Sequence, residues 1–436
     1  MSSLIRTAQF IIGNGHPSYA GCAYVTQIAR RIKNATNYLI KKRVNPDSKP
    51  ISHRDADKIL KSEQADLYRK MPSAFSQRST QVVGQEWSSF YQSIKAWKIN
   101  PSKFKSKPVA PGYAYKATTC YIGRNGFRVE DGKIIFADHV IAPLQTHFEF
   151  SQGWNSKQSE TIAQEVRIVP KGSCFVIEVV YNLSSLEGVK TDPVLLDRSR
   201  SIGIDLGINN LLAIVSNQPD LKPVLVNGKH IKSVNAWYNK RASQLRSTGQ
   251  WRHLQQCGFK RHRQIKDALH RASNYVTQYC FANDVGLVVL GHNQGWKQEV
   301  NLGKVNNQKF VSIPHSVLIE QIKYKCESAG IEVVIREESY TSKASALDND
   351  PMPKAPNRGQ ENSFSGRRVK RGLYKSKSGL INADVNAAMN ILRKETGDAF
   401  GPASRGVVFS PTMITLGTAP RKTVRKNSLS SQLLVA

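Results

Sequence analysis

The chain has 436 residues, room for two or three domains with a substantial core. Its 63 Lys and Arg against 32 Asp and Glu leave a net charge of +31, which opposes compaction and calls for a polyanionic partner, nucleic acid first because neutralising phosphates releases counterions. Six scattered cysteines without a CxxC pair, no apolar run near ~20 residues and no basic-then-apolar leader speak against a disulfide framework, a zinc ribbon and a membrane span, so a cytoplasmic protein is expected.

In chain order, residues 3–13 read as a first strand closed by Gly13-Asn14-Gly15-His16-Pro17. Residues 20–44 turn helical, with Val25, Ile28, Ile32, Ala35 and Leu39 recurring on one face. A second helical stretch over 55–98 breaks near Met71-Pro72 and carries Trp87, Phe90, Tyr91, Ile94 and Trp97, read as core aromatics before base-stacking ones. A basic, proline-rich connector over 101–112 holds Lys103, Lys105 and Lys107, suited to phosphate contact. From 113 to 190 short strands separated by turns predict a small antiparallel barrel.

Residues 200–216, RSIGIDLGINNLLAIVS, alternate as a strand, turn at Gly207-Ile208-Asn209-Asn210 and return as a second strand. Asp205 lies inside that hairpin among apolar neighbours, where a carboxylate needs a partner such as a metal ion. A hydrogen bond to the turn would also satisfy it, and GIDLG further resembles the phosphate-binding hairpin of actin- and Hsp70-like ATPases, although no second Gly-rich phosphate loop follows. Residues 260–281 predict a basic amphipathic helix, with Ile265, Leu269, Ala272 and Val276 inward and Lys260, Arg261 and Arg263 outward. Arg367, Arg368, Lys370 and Arg371 cluster shortly before LINADVNAAMNILRK, a segment in which Asn382 caps a helix whose first turn holds Asp384. Ala387, Ala388 and Ile391 share a face with Asp384 and let the helix approach the sheet closely. Taken alone, Asp384 reads better as a capping residue.

GIDLGINNLLAIV and NADVNAAMNIL, with Asp205 and Asp384 179 positions apart, resemble motifs I and III of the RuvC nuclease domain in TnpB proteins, relatives of the type V CRISPR effectors. RQIKDALHRASNYV, LGHNQGWKQ, FVSIPHSVLIEQIKYKCESAGIEVV, ESYTSKAS and FSGRRVKRGLYKSKSGLINADVN match as well, so the resemblance covers most of residues 60–395. It implies an α/β RNase H-like (RuvC) nuclease domain plus an N-terminal antiparallel β-barrel with a helical insertion. The implied divisions are 1–19 (first barrel strand), 20–100 (helical recognition domain), 101–198 (barrel), 199–342 (RuvC), 343–378 (degenerate target-nucleic-acid-binding insertion), 379–400 (catalytic helix) and 401–436 (flexible basic tail).

Two departures stand out. Gly291 occupies the place of the usual motif II glutamate, and Thr341-Ser342-Lys343-Ala344-Ser345 stands where cysteines of a zinc site are usual, so no zinc is expected. Glu338 at the end of the neighbouring strand IEVVIREES is the preferred replacement for the lost glutamate, with Glu337 as its alternate. Both also have nearby Lys and Arg with which to pair. Asp205, Glu338 and Asp384 would then hold two Mg²⁺ ions, or Mn²⁺, for phosphodiester cleavage. The resemblance implies a guide RNA and a target DNA as partners, in a monomer or dimer associated with a prokaryotic nucleoid. A guided DNA-binding protein that no longer cuts, and a nuclease acting without RNA, remain alternatives.

Overall fold

A computed structural model describes residues 4–42, 51–146, 161–183, 196–292, 313–352, 363–397 and 406–417. The chain divides into two compact units between residues 189 and 190.

The N-terminal unit starts with strand β1 (Leu4–Ile12), followed by helices α1 (Tyr19–Lys42), α2 (His53–Glu63), α3 (Ala65–Tyr68) and α4 (Ser73–Ile99). Val25, Ile28, Ile32 and Leu39 of α1 are buried, as their helical spacing requires. Pro72 sits at the N-cap of α4 and accounts for the break seen in the sequence. Trp87 is buried, with Phe90 and Tyr91 packed around it at 5.8 and 5.6 Å between ring centroids, so these aromatics are core. Strands β2 (Cys120–Gly123), β3 (Phe127–Glu130), β4 (Lys133–Phe136), β5 (Leu144–Gln145), β6 (Thr161–Pro170) and β7 (Phe175–Leu183) follow.

The strands are where alternation and turn signals put them, but their pairing differs from the expected barrel. β1 pairs antiparallel with β7 over its whole length, in a sheet ordered β1-β7-β6-β2, and β3-β4-β5 form a separate sheet. Among the described residues both sheets are open. The short strands β3, β4 and β5 pair only among themselves among the described residues, and alternation reports a strand without reporting its neighbour.

The C-terminal unit holds β8 (Asp197–Leu206), β9 (Asn210–Ser216), β10 (Val224–Asn227), α5 (Lys229–Ser247), α6 (Trp251–Ala282), β11 (Val285–Gly291), α7 (His315–Ser328), β12 (Glu332–Arg336), β13 (Arg367–Lys370), β14 (Leu373–Ser376), β15 (Gly379–Asn382), α8 (Ala383–Thr396) and β16 (Thr412–Ile414). The six-stranded sheet runs β12-β11-β8-β9-β10-β16. An antiparallel meander β8-β9-β10 is extended by β11 and β12, each parallel to its inner neighbour, which is the strand order of an RNase H-like sheet. Ile202 and Ile204 of β8 pack with Leu269 and Val276 of α6 and Leu318 and Ile322 of α7, whereas Val215 and Val289 pack with Ala388, Met389 and Ile391 of α8. Helices thus cover both faces, and β8 alternates between them.

The stretch expected as a tail from 401 corrects in part. Thr412–Ile414 adds β16 parallel to β10, and Val408 is buried in the core beneath α8. The apolar run Val407-Val408-Phe409 was masked in the sequence by its Ser- and Thr-rich surroundings; residues 418–436 lie outside the described residues.

A carboxylate site at the strand ends

Asp205 leaves β8 on the side of Gly203, two residues earlier, because side chains alternate along a strand. A Cβ at Gly203 would collide with the Ala388 carbonyl of α8 and lie 2.7 Å from Leu392 Cβ. Glycine there, and alanine at 387 and 388, let α8 settle onto the strand. α8 begins at Asn382, whose side-chain oxygen accepts from the amides of Asp384 (2.9 Å) and Val385 (3.3 Å), a cap worth about 1 kcal/mol. Arg393 and Lys394 in its last turn and Gly397 at φ 74° close it. Asp384 therefore sits in the first turn, over the end of β8.

The third carboxylate comes from beyond β12. Gly291, the last residue of β11, is in register with Arg336, the last of β12, so Glu337 and Glu338 stand past the paired strand rather than alternating within it. A Cβ at 291 would lie 2.7 Å from Glu338 Oε1 and 3.0 Å from Glu338 Cγ, and would collide with Ile391 Cδ1. The Glu338 side chain fills the space that a side chain at 291 needs. Glu337 points elsewhere: it is exposed, its Oε1 accepts from the Ser339 amide at 3.0 Å and its Oε2 pairs with Lys394 Nζ at 3.4 Å.

The electrostatics follow from this crowding. Burial first, then the Glu338 and Asp384 carboxylates, push Asp205 well above the usual carboxylate range, with Arg368 opposing. Burial likewise raises Glu338 to about 7, against Lys394 and helped by Glu337. Arg368 NH2 lies 3.9 Å from Asp384 Oδ1, and Asn210 Nδ2 donates to Asp384 Oδ2 at 2.8 Å.

Asn210, in the turn after Asp205, was legible only as a turn former, yet it ties motif I to motif III. His315 was missed too. It is buried at the start of α7, with Nε2 3.2 Å from the Gly207 carbonyl. Histidine within a matched segment was the available signal. Arg367, Arg368, Lys370 and Arg371 are exposed on β13 and the turn after it, and Arg368 is the one that reaches a site carboxylate. Lys260 lies over the Trp237 ring (5.7 Å), and Arg261 over Tyr238 (5.1 Å) while donating to Asn235 Oδ1 at 2.6 Å. Arg263 is exposed on α6. Lys103, Lys105 and Lys107 are exposed just after α4 in the N-terminal unit.

Where a zinc site would be usual, hydrogen bonds close the chain. Asp348 Oδ2 accepts from Ser345 Oγ (2.7 Å), Ser365 Oγ (2.9 Å) and the Lys377 amide (2.9 Å). Asp350 Oδ2 accepts from the amides of Ser345 (2.7 Å) and Ser365 (3.0 Å).

Residues 186–297 match the family OrfB_IS605, a probable transposase, and residues 315–391 match the Cas12f1-like TNB domain. No curated protein matches the chain. Among solved structures, a Cas12f1–sgRNA–target DNA complex aligns at 14% identity and a TM-score of 0.34, covering 88% of this chain and 98% of that one. A CRISPR-Cas12f ternary complex aligns at 13% identity and 0.34, covering 85% and 80%. Over these two stretches, the first holding Asp205 and Gly291 and the second Glu338 and Asp384, the chain is similar to the OrfB_IS605 probable transposases and to the Cas12f1-like TNB domain.

Proposed function

We propose that the protein is an RNA-guided DNA endonuclease that cleaves its target beside a short flanking motif, with Asp205, Glu338 and Asp384 holding two divalent cations, Mg²⁺ or Mn²⁺. The observation that carries this is the fit of Glu338 into the space left by Gly291, beside Asp205 and within electrostatic reach of it. A chain that had merely lost its motif II glutamate would have no need to fill that place with another carboxylate.

The donor set suits such ions. Three carboxylates offer only hard oxygens, and burial together with mutual repulsion makes Asp205 costly to ionise until a cation arrives. Among the described residues no group of three or more His, Cys, Asp or Glu already stands at metal-holding distances, as expected of like charges with no cation between them. When bound, two such ions activate a water and stabilise the leaving oxygen of a phosphodiester. The chain's own part is to hold the carboxylates. Asn210 orients Asp384 through Oδ2, the sheet fixes Asp205, and Arg368, 3.9 Å from Asp384, is placed to meet an incoming phosphate. Residues 229–266 of the α5–α6 pair carry ten Lys and Arg and no Asp or Glu, with Trp237 and Trp251 exposed among them, a surface suited to nucleic acid. Base pairing with a guide would read the sequence, and protein would read shape and the flanking motif.

A guided DNA binder that does not cut is the second reading, favoured by Gly291 in the place of the usual motif II glutamate. The two separate in one experiment: protein co-expressed with its flanking genomic RNA is challenged, with Mg²⁺, with plasmids bearing a guide-matched target beside randomised flanks. Breaks beside one enriched motif are expected. Guide-dependent protection without breaks would establish the binder instead.

A further inference from the structure

A glutamate at the end of a sheet strand is held by the ladder on either side. Among the described residues β12 stops pairing at Arg336, so Glu338 lies beyond the ladder. Its main chain is fixed from α8. Thr341 turns back and donates to the Glu338 carbonyl from both its amide (3.1 Å) and its Oγ1 (2.9 Å). Asn390 Nδ2 then donates to the carbonyls of Thr341 (2.9 Å) and Ala344 (2.8 Å). One turn earlier on the same helix face, Asn386 Nδ2 donates to the Ala344 carbonyl at 2.8 Å and its Oδ1 accepts from the Ala346 amide at 3.0 Å. Arg393 NH1 donates to Asn390 Oδ1 at 2.9 Å and so sets which end of that amide faces the loop.

Both asparagines are fully buried. A buried amide costs free energy unless its hydrogen bonds are made, and an apolar residue would pack against the sheet without that cost. Two of them on one helix, both aimed at the loop that carries Glu338, need a reason in what the loop carries.

We infer that Asn386 and Asn390 are positioning residues that hold Glu338 in register with Asp384, so that α8 is a common splint for two carboxylates, one on its own first turn and one on the loop it grips. This rests on reading Glu338 as a residue of the cleavage site. It follows from the displaced glutamate: a carboxylate moved off the strand end onto a loop needs a rigid element to restore the precision that the sheet supplied.

The test uses the full chain with its RNA, carrying Asn390→Ala alone or with Asn386→Ala. Cleavage at saturating target is expected to slow tenfold or more with target affinity within twofold. Amides 339–346 should exchange at least tenfold faster while β8 and β11 keep their protection. Cleavage within twofold of the unaltered chain would overturn the inference, as would loss of protection spread equally through β8 and β11. A second background is Gly291→Glu with Glu338→Ala and Ile391→Val, which returns the carboxylate to the sheet and removes the Cδ1 that a Cβ at 291 would strike. If that chain cuts, Asn390→Ala should cost it less than threefold, and a tenfold loss there would make the asparagines general structural residues; if it does not, the first comparison decides. Should the unaltered chain fail to cut, the nuclease reading falls by itself. The splint is then judged by exchange and by Mn²⁺ affinity, with a tenfold weakening in Asn390→Ala supporting it and unchanged affinity overturning it.

Discussion

Two clusters of carboxylates lie in the C-terminal unit and are built on opposite terms. Around Asp348, burial works against the charge, yet the Lys377 amide and the hydroxyls of Ser345, Ser365 and Ser378 outweigh it and hold the carboxyl below its usual range. Around Asp205, burial works in the same direction as two neighbouring carboxylates and raises it. The first cluster has been given N–H and O–H donors and is part of the framework. The second has been given more negative charge, which only a cation or a proton relieves. Surroundings, not residue type, separate the two aspartates.

The sharpest way to break this contrast is through cleavage. Asp205→Ala and Glu338→Gln are each expected to lower guided cleavage by on the order of 10³-fold or more while target binding stays intact; a normally cutting Asp205→Ala chain would sink the assignment. Next comes stability. Asp348→Ala leaves several donors without their acceptor and should destabilise the unit by about 2 kcal/mol, measured by denaturant unfolding, whereas a zinc chelator should leave the melting curve unmoved. The opposite sign is expected at the other cluster. In the absence of divalent cations, Asp205→Asn removes a crowded charge and should raise the melting temperature by roughly 2–4 °C, a gain that saturating Mg²⁺ abolishes. A fall on making Asp205→Asn would mean that the carboxylate has structural partners after all.

Smaller effects sharpen the picture. Glu337→Ala should leave cleavage within about threefold, since Glu337 is exposed and engaged with Lys394 and Ser339; a loss equal to that of Glu338→Gln would reverse their roles. His270 supplies a pH dependence away from the site. Burial, then Lys325 and Lys266, lower it to about 4, against Asp267. Between its ordinary value and about 4 the unfolded chain takes up a proton that the folded one refuses, so stability is full above that window and is lost as pH falls through it. Melting should drop by about 2 °C from pH 7 to 5, and His270→Gln should flatten the curve.

Much of this was legible in the sequence for identifiable reasons. Period-2 alternation located β8, the apolar run after the turn located β9, the family resemblance located β11, a capping Asn382 located α8, and two alanines announced a close helix–sheet contact. Pairing was less legible: β1 finds β7 more than 160 residues later, and nothing local in either strand specifies that partner. At the site, Asp205 was visible because charge among apolar residues is conspicuous, whereas Asp384 and Glu338 stood out only through the family resemblance. Asn210, Asn386 and Asn390 were not visible, because an asparagine in a turn or helix reads the same whether it faces water or clamps a buried loop. Strand alternation said only that one of Glu337 and Glu338 could serve, Glu338 was preferred as nearer the strand end, and the strand ends before either residue.

The shared space at Gly291 and Glu338 also bears on how such a chain can change over generations. A glutamate placed at 291 alone would not reproduce the arrangement usual in the family the sequence resembles. It would add a fourth carboxylate to a volume that Glu338 already fills and would strike Ile391. On the proposed assignment, removing Glu338 first would leave the site short of a ligand. Each single step from one arrangement to the other crosses an impaired intermediate, so the displacement behaves as a ratchet. Positions 291 and 338 are best scored as one two-residue character when deciding whether a chain of this kind retains its chemistry.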